Sequence, residues 1–170
     1  ITGGNMKELL KYLRHYIKES ILAPLFKMLE AIFELIVPLV VASIIDNGIK
    51  TGNSKFVVSR ALILVLLAVI GMTAAITAQY FAAKAATGFA TGVRKALYEK
   101  IQSFSFTELD NVGISTLITR MTNDVNQSQS AVNMALRLLL RSPFIVVGAF
   151  VMAMAIDIKA SMIFLAVIAL

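Results

Sequence analysis

Three charged residues stand inside an otherwise apolar run, and they are the first candidates for chemistry. Lys27, Glu30 and Glu34 interrupt residues 21–45, and at about 100° per helical residue they share a sector roughly 60° wide. Charges within an apolar segment of membrane length are costly and face either a water-filled cavity or a protein partner. Two readings follow. Glu30 and Glu34 line a cavity where they meet a cationic substrate, or they sit near the aqueous edge, paired with Lys27. A second constellation is Arg120 and Asp124, four apart in the polar stretch 109–129, LDNVGISTLITRMTNDVNQSQ. That spacing allows an intrahelical pair of about 0.3–0.5 kcal/mol, or contacts to another body. The chain has no cysteine, so disulfides and thiolate metal sites are excluded. The one histidine, His15, lies among basic residues near the start and reads as a surface residue. Zinc chemistry and a Ser-His-Asp triad have no support.

The elements that must position these residues are set by composition. Of 170 residues, 58% are hydrophobic and 15% charged, with mean hydropathy +0.82. Soluble domains carry about 45–50% apolar and about 25% charged residues, so this chain reads as an all-α, polytopic membrane protein. The net charge of +6 could suggest nucleic acid, but the placement of the basic residues points to a bilayer and to no nucleic acid. Twelve of the sixteen lie on one side of the apolar runs: Lys7, Lys11, Arg14, Lys18, Lys27, Lys84, Arg94, Lys95, Lys100, Arg120, Arg137 and Arg141. By the positive-inside rule that side, with the N-terminus, is cytoplasmic, in a multi-pass protein of the plasma membrane.

In chain order, residues 1–5, ITGGN, precede the first methionine and look like a vector-derived remnant. Residues 6–19 alternate apolar and basic faces, as in an amphipathic helix lying on anionic headgroups. The alternative is a surface helix of a soluble bundle. The first span covers about residues 21–45, with Pro24 and Pro38 as expected kinks, and Asp46-Asn47-Gly48 ends it. A short outer connection leads to the second span, residues 61–83, which contains no charged residue. Helical patterning continues through residues 84–104, despite Gly88 and Gly92, and would carry the helix about 30 Å past the bilayer. The polar stretch then forms a tip. Ile114, Leu117, Ile118, Met121 and Val125 give one apolar stripe of a short amphipathic helix. A return helix enters the third span, residues 141–156, and a turn at 157–159 starts a fourth apolar run at 160–170. Eleven residues are too few to span, so the chain reads as cut inside its fourth helix. The cytoplasmic extension and loop cover residues 84–140.

This order, together with two local motifs, resembles the start of the transmembrane domain of an ATP-binding-cassette (ABC) exporter. Residues 38–49, PLVVASIIDNGI, resemble the end of that family's first span. Residues 115–129, STLITRMTNDVNQSQ, are similar to its first intracellular loop, where the family has Gly-x-Leu-x-Ser-Arg-Leu-x-x-Asp and then an apolar residue. The matching positions are Leu117, Thr119, Arg120, Met121, Asp124 and Val125. Ser115 stands at the glycine, Thr119 at the serine, and Leu109-Asp110 replaces an upstream Phe-Asp. These variants are similar to members of heterodimeric exporters.

The resemblance implies that Ile114, Ser115, Leu117, Ile118, Arg120, Met121 and Asp124 form a coupling helix docking on a nucleotide-binding domain. It also implies a second half-transporter as partner, alternating access, and export of hydrophobic or amphipathic substrates such as drug-like molecules, lipids or peptides. ATP and Mg are implied for the nucleotide-binding domain. The chain itself has no G-x-x-x-x-G-K-[ST] phosphate loop, so no cofactor and no catalysis are expected of it, whereas the full-length protein is expected to hydrolyse ATP. Two other functions fit the same pattern: a membrane sensor with a projecting hairpin, and an ion-coupled secondary transporter using Glu30 and Glu34.

Overall fold

The computed structural model describes residues 11–139 and 141–156. Among them every long element is helical. Residues 11–13 are helical and Arg14–Tyr16 form a 3-10 turn. They run directly into α1 (Ile17–Ile44), which continues as a π turn over Ile45–Ile49. After residues 50–53 come α2 (Ser54–Gln102), α3 (Phe106–Val112), α4 (Ile114–Thr119), a second π turn (Arg120–Asp124), α5 (Val125–Leu138) and α6 (Arg141–Ile156). Three helical stretches are long and apolar enough to cross a membrane: Lys11–Ile49, Ser54–Gln102 and Ile114–Met154. The turn expected at 157–159, the fourth apolar run at 160–170, and residues 1–10 with their expected remnant lie outside the described residues.

Two boundaries differ from the sequence reading. The helix expected to stop at Asp46-Asn47-Gly48 keeps turning to Ile49, because Lys50 N–H bonds the Ile45 carbonyl at 3.1 Å. The five-residue spacing widens the turn without ending the helix. The stop comes at Gly52, whose φ of +67° favours glycine. Asn53 then caps α2, its side-chain oxygen accepting from Phe56 N–H at 3.2 Å. The connection is therefore four residues long, and α2 begins seven residues before the expected span. From there it runs unbroken for 49 residues, about 74 Å of helix. Gly71, Gly88 and Gly92 do not interrupt it, nor do Pro24 and Pro38 interrupt α1.

The described residues fall into two compact units. One joins residues 11–24 to Gln79–Arg137. Its core is built of small side chains: Ala23, Ala82, Ala85, Ala86 and Ala90, with Phe89, are buried, as are Leu117 and Val125. Small residues let backbones approach closely without a bulky interlock. Tyr16 lies against Gly88 and Tyr12 against Gly92, two residues four apart seated on two glycines four apart. Lys84 pairs with Glu19 at 3.0 Å. Two polar contacts tie α2 to α5: Arg94 donates to the Asn126 side-chain oxygen, and Gln129 reaches the Thr87 hydroxyl at 3.4 Å.

The other unit joins Leu25–Ala78 to the described residues from Leu138 on. Ala31, Ala74 and Ala78 are buried in it, and Gly148 of α6 packs against Leu35 of α1. Leu62, Val65, Leu66, Val69 and Met72 of α2 are all exposed, an arrangement that lipid accepts and water does not. The hydroxyls of Thr73 and Thr77 donate to carbonyls of their own helix, at 2.8 and 2.7 Å, so neither is left bare in an apolar segment.

Candidate coupling site

The tip is two helices meeting at a glycine. α3 opens on a capping box: the Ser105 hydroxyl accepts from Glu108 N–H at 3.4 Å, and Ser105 N–H donates to Glu108 Oε2 at 2.8 Å. The Ser105 hydroxyl also donates to that oxygen at 2.9 Å. The Ser105 backbone N–H first, and then the hydroxyl, hold the Glu108 carboxyl below its ordinary value. A depressed carboxylate stabilises the fold above its unfolded pKa, and the contribution disappears as pH falls through the folded value. Acidification should therefore fray α3. Ser105→Ala should do so at neutral pH, with about fivefold faster amide exchange at Glu108, the size of one lost cap; unchanged exchange in the variant would refute the box. The signal, S-x-x-E at residues 105–108, is legible in the sequence, although the sequence reading passed over it.

α3 ends at Gly113, whose N–H returns to the Leu109 carbonyl at 2.9 Å and whose φ is +81°. Only glycine adopts that conformation without strain. The stretch 109–129 is therefore not the single short helix expected. It breaks at Gly113, then runs from Ile114 into α5.

The expected apolar stripe also divides. Leu117 and Val125 are buried and Met121 half-buried, whereas Ile114 and Ile118 are 67% and 58% exposed. The cause is the π turn, in which Val125 N–H bonds the Arg120 carbonyl five residues back. Eight residues of regular α-helix would set Leu117 and Val125 about 80° apart. The extra residue of the wide turn takes back about 100°, leaving them within about 20° on one face. Ile118, about 100° from Leu117, is carried outward. Phe106, at the first turn of α3, is 89% exposed and was not anticipated.

The same turn affects the charged pair. Arg120 is half-buried, Asp124 and Ser115 are exposed, and no ion pair joins Arg120 to Asp124 among the described residues. A wide turn aligns i with i+5 and displaces i+4, so the intrahelical pair expected from spacing is not made.

In the second unit Glu30 and Glu34 are held by cations. Lys27, 8% exposed, donates to Glu30 Oε2 at 2.6 Å. Arg141, at the start of α6, donates through Nη2 to both oxygens of Glu34, at 2.7 and 2.8 Å, and lies 3.9 Å from Glu30 Oε1. Two cations thus balance two carboxylates, with Glu30 largely removed from solvent and Glu34 half open. Both carboxylates also border a cleft of about 240 Å³ walled by Phe33, Val37, Leu67 and Met72. The two carboxylates thus line a cleft and are also paired. Arg141 was the partner the sequence did not offer, since it stands 107 residues from Glu34.

The comparisons with known proteins agree with this geometry. The chain is 33% identical over 154 residues to a Bacillus subtilis (strain 168) protein named uncharacterized ABC transporter ATP-binding protein YfiB, covering 91% of this chain and 27% of that protein. An ABC transporter ATP-binding protein of Mycobacterium tuberculosis H37Rv, also named as uncharacterized, is 33% identical over 110 residues, covering 65% and 19%. A Rickettsia typhi protein provisionally named export ATP-binding/permease protein is 26% identical over 140 residues, covering 82% and 24%. The chain therefore spans about a quarter of the length of these relatives. A family model described as the ABC transporter transmembrane region matches residues 20–170. With three membrane-length helices, an α2 that outruns its uncharged segment by nineteen residues to Gln102, and a helical tip between the second and third, the chain belongs to the ABC transporter transmembrane family.

Proposed function

We propose that this chain is the membrane part of an ATP-driven exporter that moves hydrophobic or amphipathic molecules out of the cytoplasm by alternating access. The observation that carries the reading is the tip. Ile114, Ile118 and Phe106 expose apolar side chains on a segment otherwise rich in polar residues, at the far end of a helix much longer than a span. Apolar groups held out in this way suit a partner surface. The partner is a nucleotide-binding domain, which in the relatives is named as part of the same protein. ATP with Mg binds there, and a second half-transporter completes the machine. The basic residues of the extension support a cytoplasmic tip and N-terminus, and we read the protein as one of the plasma membrane.

Closure of the nucleotide-binding domains would move the tip, and α2 and α5, tied by Arg94–Asn126 and Thr87–Gln129, would move with it. Such a connection shifts the spans only if its contacts differ between the two states. Ile114, Ser115, Ile118, Arg120 and Asp124 supply the docking surface, and Leu117 and Met121 support it from within. Arg120 and Asp124 act separately here, because they do not pair with each other. Replacing each with alanine in the intact transporter should lower coupled transport in proportion, so that the double substitution multiplies the single effects. Transport and ATP hydrolysis measured on the same vesicles test this. Wild-type coupling in all three variants would remove these residues from the site.

A further inference from the structure

The Arg141 guanidinium stands between two carboxylates and completes its bonding to neither. Its Nη2 serves both oxygens of Glu34, while its Nε is buried and has no hydrogen-bond partner among the described residues. A guanidinium holds a carboxylate best through two parallel N–H···O bonds, and its Nε and Nη2 form one edge of that fork. One nitrogen serving two oxygens leaves half the edge idle, and an idle buried donor is destabilising until an acceptor reaches it. Glu30 has an oxygen to offer. Lys27 holds its Oε2 at 2.6 Å, whereas its Oε1 lies 3.9 Å from Arg141 Nη2 and accepts no hydrogen bond among the described residues. Arg141 Nη2 thus lies within reach of both carboxylates, bonded to Glu34 at 2.7 Å and 3.9 Å from Glu30.

We propose that Arg141 is a shared counter-ion handed from Glu34 to Glu30 as α1 and α6 shift against each other in the transport cycle. The inference rests on the alternating-access reading above. The handover is asymmetric in a way that makes it workable. Glu30, with a side chain only 12% exposed, keeps Lys27 throughout and is never stranded without a cation. Glu34, at 48%, is open enough to be hydrated when Arg141 leaves. Contact between the two helices is close, since a Cβ at Gly148 would overlap the Leu35 side chain. A smooth glycine at that point leaves α6 free to slide along α1.

Spin labels at Leu25→Cys and Val151→Cys, both exposed positions on the two helices, would report the α1–α6 distance. The measurement is made on the intact transporter, otherwise cysteine-free, in lipid nanodiscs with and without ATP and vanadate. Wild-type protein should show two distances whose populations exchange with nucleotide. Glu34→Gln removes the partner seen here and should shift the ratio about tenfold toward the other distance. Glu30→Gln should shift it about tenfold the opposite way. Opposite signs from two neighbouring isosteric changes are the signature, because a merely structural network would respond to both in the same direction. Arg141→Lys keeps the charge and loses the fork, so it should fold and compress the exchange. Shifts of the same sign, no shift, or a Lys variant that exchanges like wild type would overturn the handover. A transporting wild type with one nucleotide-independent distance would instead overturn alternating access itself.

Discussion

Ile114→Asp and Ile118→Asp together should lower ATP-driven transport by the intact transporter at least ~tenfold, with the amount of protein in the membrane unchanged. Each isoleucine is exposed, so an aspartate there leaves the fold near its original stability. On docking, each side chain would bury apolar area worth about 1.5–3 kcal/mol, and the substitution replaces that gain with a charge to be desolvated. Hydrolysis by the nucleotide-binding domain continues, because no catalytic group is touched, so turnover and transport should separate. Leu117→Asp is the internal comparison. Leu117 is buried, so that change should act through loss of folded protein. If the double aspartate variant transports at the wild-type ratio of substrate to ATP, the exposed pair is not the docking surface.

The second large effect is expected where the N-terminal segment meets α2. A Cβ added at Gly88 would run into the Tyr16 ring, whereas one at Gly92 would come to 2.9 Å from the nearest atom of Tyr12. The overlap at Gly88 is the deeper of the two and falls on three atoms of the Tyr16 ring. Gly88→Leu should therefore destabilise the protein by about 1–3 kcal/mol, as overpacking does, and Gly92→Ala by less. Combining Gly88→Leu with Tyr16→Ala should recover most of the loss, since the collision needs both partners. Thermal unfolding in detergent, followed through the loss of monodisperse protein, gives the order. Equal effects at the two glycines, or no rescue by Tyr16→Ala, would show that the rings do not set the spacing.

Much of this architecture was legible in the sequence because the signals are long-range and redundant. Twenty-three uncharged residues at 61–83 leave a helical span as the simple answer, and the pattern through Leu97 and Ile101 carries that helix onward to Gln102, two residues short of the expected 104. The spans, the long extension and the placement of the tip all follow from such runs. The coupling stretch was legible as amphipathic but not in its phase. A single extra residue in the turn at Arg120–Asp124 rotates everything after it by about 100°, and periodicity counts made in whole residues assume that no such step occurs. The same step removes one of the two arrangements that i, i+4 spacing allows for Arg120 and Asp124, the intrahelical pair. Arg141 and Glu34 illustrate a different limit. Their types invite pairing, but a sequence separation of 107 conceals it until packing brings the start of α6 to the side of α1. Gly113 is a third case: glycine marks a weak point, and only a backbone at φ +81° turns it into a break.

The two-against-two balance of Lys27, Glu30, Glu34 and Arg141 has an electrical consequence. A membrane potential does work of about 2.3 kcal/mol on each elementary charge carried across 100 mV. An arginine passing between carboxylates one helical turn apart travels at most about 5 Å along the helix, a small part of a hydrocarbon core about 30 Å thick. The proposed handover would then contribute little to any voltage dependence of transport.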